Sequence, residues 1–151
     1  MALFIGTHEN KIDRKGRVSL PADYRAELPQ EDDRTIYIFP SLYTIALEAC
    51  DRTQLELHAQ RINALDQFSQ EEAYFSSQIL AEARKLSIDG DGRVVLPAEF
   101  LERARIEGKA LFVGGGPKFH IWQPDAYTAH RTETQAALAG RTLPSLTGPA
   151  S

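Results

Sequence analysis

Between Lys11 and Arg17, four cations and one anion crowd into seven residues, Lys11-Ile12-Asp13-Arg14-Lys15-Gly16-Arg17, a local charge of +3 in a chain whose net charge is −4. Ammonium and guanidinium groups at such density can displace the counterions condensed on a polyphosphate. A guanidinium can also take guanine O6 and N7 in two hydrogen bonds. Gly16 would let the backbone approach a phosphate, and it can adopt the positive φ that a tight reversal often requires. The acidic total excludes a protein that coats nucleic acid by general basicity, so such binding must come from a concentrated patch. A charged loop is, more simply, solvated surface, and on the residues alone both readings stand.

Other chemistry-bearing residues offer less. His8, His58, His120 and His130 follow no metal-ligand or zinc-protease spacing. Gly114-Gly115-Gly116-Pro117 lacks the spacing of a dinucleotide loop and the Lys-Ser/Thr of a P-loop, and reads as a hairpin turn. Cys50 is the only cysteine, which excludes an internal disulfide, suits a reducing cytoplasm, and reads as a packed thiol. Phe119 and Trp122 are more simply core than a stacking platform. No cofactor, metal or catalytic activity is implied. The start, Met1 to Gly6, lacks the basic and apolar regions of an export signal, and no apolar run approaches the roughly 20 residues of a membrane span.

The elements that would position the basic stretch are legible because the chain writes it twice. Ile12 to Tyr24 recurs as Ile88 to Phe100 at an offset of 76, with eight of thirteen positions identical. Two copies imply a pseudo-symmetric fold of two halves, not a solenoid. In each copy a strand (Thr7–Asp13, Arg84–Ile88) leads into a turn (Arg14–Gly16, Asp89–Gly92), a return strand (Arg17–Leu20, Arg93–Leu96) and a short helix opened by Pro21 or Pro97. A hairpin follows: Thr35–Phe39 with Tyr43–Glu48, and Ala110–Val113 with Lys118–Gln123. One residue of slippage aligns Ile36–Ile38 with Leu111–Val113. Gln30–Arg34 reads as a solvated acidic loop. Between the halves, Asp51 caps a helix with Leu55, Ala59, Ile62 and Leu65 on one face, and Ser69 to Glu72 is a capping box for another. The expected organisation is a first half over 1–50, a helical linker over 51–82, a second half over 83–123, a helix over 124–139 and a flexible tail over 140–151.

Comparing the copies separates architecture from specialised work. Asp13/Asp89, Gly16/Gly92, Arg17/Arg93 and Pro21/Pro97 are shared, which points to structure, with Asp13 and Arg17 as an ion pair across the turn. The copies disagree at Arg14-Lys15 against Gly90-Asp91: Arg84 to Arg93 carries three cations and two anions, only +1. Arg17 is shared like a structural group, yet placed among the cations.

Two copies of D-x-x-G-R-V-x-L-P in one chain of this length resemble the MraZ family of bacterial transcriptional regulators, which carry two AbrB-like halves. Phe4-x-Gly6, Lys15-Gly16-Arg17, Pro21-Ala22-x-x-x-Arg25, Phe112-Val113-Gly114 and Phe119-x-Ile121-Trp122 match as well. The resemblance implies a mainly β, α+β fold: a pseudo-two-fold double-split β-barrel of interlocked halves with linker and C-terminal helices. It further implies a ring-shaped homo-oligomer, cytoplasmic and nucleoid-associated. That ring would bind repeated double-stranded DNA sites upstream of the cell-division and cell-wall gene cluster, with repression the expected effect. The implied DNA contacts are Arg14, Lys15, Gly16 and Arg17, to which Lys11 adds a fourth cation. His8 and Asn10 stand where family members often carry Tyr and His, and Leu101 replaces the counterpart of Arg25. Three phosphate contacts give a log–log salt slope of only about −2.7, weak binding for one turn, so several turns on one assembly are needed. The rival expectation is an antitoxin-like or scaffold module that binds protein and not DNA.

Overall fold

The computed structural model describes residues 1–29 and 34–146; most of the acidic loop and the end of the tail lie outside the described residues. Eight strands and five α-helices follow in chain order: β1 (Thr7–Lys11), β2 (Arg17–Ser19), α1 (Ala22–Ala26), β3 (Thr35–Pro40), β4 (Leu47–Cys50), α2 (Arg52–Asn63), α3 (Gln70–Phe75), β5 (Arg84–Ser87), β6 (Arg93–Val95), α4 (Ala98–Ala104), β7 (Lys109–Gly114), β8 (Lys118–Trp122) and α5 (Pro124–Leu138). A π-helical segment, Ser76–Leu80, continues α3. Among these helices none is long and apolar enough to cross a membrane.

The strands form a six-stranded antiparallel sheet, β1-β7-β8-β4-β3-β5, and a separate two-stranded ladder, β2-β6. The halves are interlocked: β1 of the first half pairs with β7 of the second, and β5 of the second pairs with β3 of the first. The barrel is not closed, for β1 and β5 remain edges of the sheet, and the ladder β2-β6 adjoins β1 through the isolated Ile12–Val18 bridge and the Asn10 side chain on Ser19 O rather than through a continuous ladder. The registers also correct the alignment of the hairpins. Thr35 has its counterpart in Lys109 and Leu47 in Phe119, so the offset falls from 76 to 74 and then 72 as the second half shortens its loops. Under this mapping Val18 exchanges with Val94 and Glu48 with His120. Each is also a register pair, so the pseudo-two-fold axis passes through both.

Apolar residues of both halves fill one core. Phe4, Tyr24, Phe112 and Phe119 are each 2% exposed or less, and Phe119 has ring centroids of Phe4 and Tyr24 at 4.9 Å. In the glycine run at the β7–β8 turn, Gly114 is required by contact and Gly116 by its φ of +83°. The Phe4 amide donates to Gly116 O at 2.6 Å, and a Cβ on Gly114 would lie 2.5 Å from Phe4 O. A second cluster beneath α2 contains Phe39, Cys50, Ile62 and Ile79. Burial, with Glu48 and Asp51 nearby, pushes the Cys50 thiol up to about 12, an unreactive group.

Three elements differ from expectation. β4 begins at Leu47, not Tyr43, because the Ser41 and Thr44 hydroxyls accept the Tyr43 and Ala46 amides and fold that stretch into a loop. The capping box is half formed: Ser69 Oγ accepts from Glu72 N, while the Glu72 carboxylate turns to the Ser76 hydroxyl. Pro21 and Pro97 are N-cap residues, one position before the first helical turn.

Candidate nucleic-acid interface

The first turn is built around Asp13. Its Oδ1 accepts the Lys15 and Arg17 amides, both at 2.9 Å, and its Oδ2 takes Arg17 Nε at 2.7 Å. The Arg17 amide, then its guanidinium, hold the Asp13 carboxyl below the usual carboxylate range. Gly16 closes the reversal at φ +86° and its carbonyl accepts Leu96 N at 2.8 Å. The turn is thereby fixed to the second half of the molecule. Pro21, buried, opens α1 and receives the Tyr24 and Arg25 amides on its carbonyl.

The second turn repeats this frame. Asp89 Oδ1 accepts the Asp91 and Arg93 amides at 2.9 Å, Arg93 Nε lies 3.3 Å from Asp89 Oδ2, and Gly92 O accepts Leu20 N at 3.0 Å. Pro97 is matched likewise by the Phe100 and Leu101 amides. Asp13, Asp89, Gly92, Arg93, Pro21 and Pro97 thus all take part in turn or cap geometry.

The turns differ in what they leave exposed. Arg93 spends a terminal nitrogen on Asp91, 3.2 Å away. Lys15 stands at the position of Asp91, and the terminal guanidinium nitrogens of Arg17 have no partner among the described residues. Arg17 therefore holds Asp13 through Nε while the far edge of its half-exposed guanidinium stays available. Lys11, Arg14 and Lys15 are exposed. Lys11 sits opposite Lys109 in the β1–β7 register, where Lys109 pairs with Glu9 at 3.8 Å. The antiparallel β2–β6 ladder sets the two turns at its opposite ends, four residues or about 13 Å apart along the strand.

The repeat also pairs residues whose joint role sequence reasoning missed. His8 packs edge-on to Tyr24 at 5.3 Å and Arg84, its counterpart at offset 76, lies 5.4 Å from the Phe100 ring centre. Asn10 donates to Ser19 O at 2.7 Å. With His8, Pro21 and Asp23 they line a cleft of about 390 Å³, on the Leu20 side of the ladder and away from the tip of the basic turn. Arg25 donates to Leu20 O and covers Gly92, whereas Leu101 covers Gly16, so the two turns are also buttressed unequally. Among the described residues no group of three or more His, Cys, Asp or Glu is placed to hold a metal.

The family model described as "MraZ protein, putative antitoxin-like" matches residues 3–75 and again 79–141. The chain belongs to the MraZ family. It is 42% identical over 135 residues to the transcriptional regulator MraZ of Rickettsia akari (strain Hartford), covering 89% of this chain and 91% of that protein. It is 44% identical to the protein of that name in Rickettsia bellii (strain OSU 85-389) over 83% of this chain and 84% of that one. Against that of Pelagibacter ubique (strain HTCC1062) the identity is 38%, over 83% and 81%. Membership of the MraZ family places the chain among transcriptional regulators.

Proposed function

We propose that this chain regulates transcription by binding double-stranded DNA through the turn Arg14-Lys15-Gly16-Arg17, with Lys11 beside it. The regulator acts as a ring-shaped homo-oligomer on short repeated sites upstream of the cell-division and cell-wall gene cluster, most simply as a repressor, in the cytoplasm and on the nucleoid. What supports the reading is the contrast between the turns. One frame is built twice, and in only one copy is the guanidinium edge left unneutralised and flanked by Arg14 and Lys15. Asp13, Asp89, Gly92, Arg93, Pro21 and Pro97 serve the frame in this reading, and Arg17 serves both frame and contact.

A gel shift on the DNA upstream of the protein's own gene, run across a salt series, tests it. Lys15→Ala and Arg17→Ala are expected to weaken binding and to flatten the log–log salt slope by about 0.9 per lost phosphate contact. Unchanged slopes in folded variants would remove the assignment. The antitoxin-like wording of the family description keeps a second reading in play, a module that binds protein. It predicts a co-purifying partner and no salt-sensitive shift.

A further inference from the structure

The second turn copies the first and stands open to solvent. Asp89, Gly90 and Asp91 are exposed, and Arg93 keeps 39% of its side chain accessible. The backbone frame is the same: the Asp91 amide donates to Asp89 Oδ1 at 2.9 Å, as the Lys15 amide does to Asp13 Oδ1. Side chains at positions 15 and 91 therefore leave equivalent backbone sites. Burial does not keep a ligand from the second turn, so any silence must come from its own side chains.

There the copies part. From Asp13 to Arg17 the turn carries three cations and one anion, +2; from Asp89 to Arg93 it carries one cation and two anions, −1. Arg17 meets one carboxylate, on Nε at 2.7 Å. Arg93 divides itself between two: Asp91 Oδ2 takes a terminal nitrogen at 3.2 Å, and the Nε bond to Asp89 lengthens to 3.3 Å. The terminal edge is the one with which a guanidinium grips a phosphate or a guanine in two hydrogen bonds. An exposed ion pair is weak, and a phosphate could break it. The displaced carboxylate, 80% exposed, would then stand beside that phosphate, like charge against like. We infer that Asp91 silences a latent DNA-binding turn. The residue at this one position, Lys15 in the first copy and Asp91 in the second, decides which turn of the chain meets DNA. The inference rests on the DNA reading proposed above and names its specificity determinant. Two live turns at opposite ends of one ladder would let the chain approach DNA in two orientations; Asp91 leaves one.

The test moves the contact from one turn to the other. Gly90 does not hold a left-handed φ, and a Cβ there meets nothing within 4 Å, so the second turn accepts the side chains of the first. The starting chain has its first turn disabled by Lys15→Ala/Arg17→Ala. Adding Gly90→Arg/Asp91→Lys is expected to restore a gel shift on the DNA upstream of the protein's own gene. The log–log salt slope should steepen by about 2.7, three contacts at about 0.9 each, and Arg93→Ala should take back about 0.9. Glu71→Lys, the same charge change placed on exposed α3 surface, should restore nothing. In the otherwise wild-type chain, Lys15→Asp should flatten the slope by about 1.8, against about 0.9 for Lys15→Ala, because the introduced carboxylate takes Arg17 as well. Trp122 emission and circular dichroism check folding. A grafted turn that stays silent, a slope indifferent to Arg93→Ala, rescue by Glu71→Lys, or a Lys15→Asp chain no worse than Lys15→Ala would each overturn the inference while the wild-type shift stood. A wild type without a salt-sensitive shift would overturn the DNA reading and this inference together.

Discussion

Gly16 and Gly92 hold the same backbone conformation, φ +86° and +79°, but meet different neighbours. A Cβ on Gly16 would lie 2.5 Å from the Leu96 carbonyl oxygen, a backbone atom that itself belongs to the joint between the halves. The three atoms nearest to a Cβ on Gly92 all belong to the Arg25 side chain, which can swing aside. Both alanine variants suffer the left-handed penalty of roughly 1–2 kcal/mol, but Gly16→Ala must also displace main chain. Its denaturation midpoint is therefore expected to fall further than that of Gly92→Ala, and urea unfolding of the two proteins measures the difference. Equal losses would mean that the Leu96 contact relaxes freely. At this scale the sequence was informative about identity and silent about partners. The repeat marked both glycines, Asp13/Asp89 and Arg17/Arg93, because local turn chemistry recurs wherever the turn recurs. That Arg25 guards the opposite turn is a contact between halves, which no local pattern encodes.

Three elements meet at Glu48. The carboxylate of this β4 residue faces His58 of α2 at 3.6 Å and His120 of β8 at 3.4 Å, with only 15% of its side chain exposed. Burial alone would raise the Glu48 carboxyl, but the His120 and His58 imidazoles overcome it and hold it down to about 2. A carboxylate depressed on folding stabilises the protein fully above its unfolded value, near 4.5, and that contribution disappears as pH falls toward about 2. The shift sets a ceiling of about 3 kcal/mol on it. Glu48→Gln cannot titrate, so the gap in melting temperature between wild type and variant is expected to close as pH drops from 5 to 2.5. A gap constant over that range would show that the imidazoles do not recognise the charge. Nothing local pointed to this clamp, since Glu48 and the two histidines come from distant stretches. The π segment was invisible for a similar reason: α3 widens so that Ala81 N reaches Ser76 O, while Ile79 is buried in the cluster beneath α2. The strands, by contrast, were largely legible, because Ile36, Ile38, Phe119 and Ile121 are spaced for one buried face. Tyr43-Thr44-Ile45 misled, for its β-formers sit beside hydroxyls that satisfy the backbone locally.

The duplication told that there are two halves, but the exchange of strands between them makes one cooperative body. β1 finds its ladder only on β7, and β5 only on β3, so neither half can complete its hairpin sheet alone. The turns are cross-linked in the same sense, Gly16 O to Leu96 N and Gly92 O to Leu20 N. Independent halves would unfold separately; interlocked ones should unfold together. Trp122, the only tryptophan, lies on β8 and is 5% exposed, so its emission reports on the second half. Ile38 lies on β3 of the first half with no exposed surface. Ile38→Ala leaves a cavity expected to cost about 2–5 kcal/mol. If the halves are one unit, that loss must appear in the Trp122 transition, with the same midpoint shift by fluorescence and by circular dichroism, protein concentration being held fixed. A tryptophan transition left at its wild-type midpoint while the circular dichroism splits in two would mean that the halves are separate bodies. The basic turn would then no longer be held in place by the half it is hydrogen-bonded to.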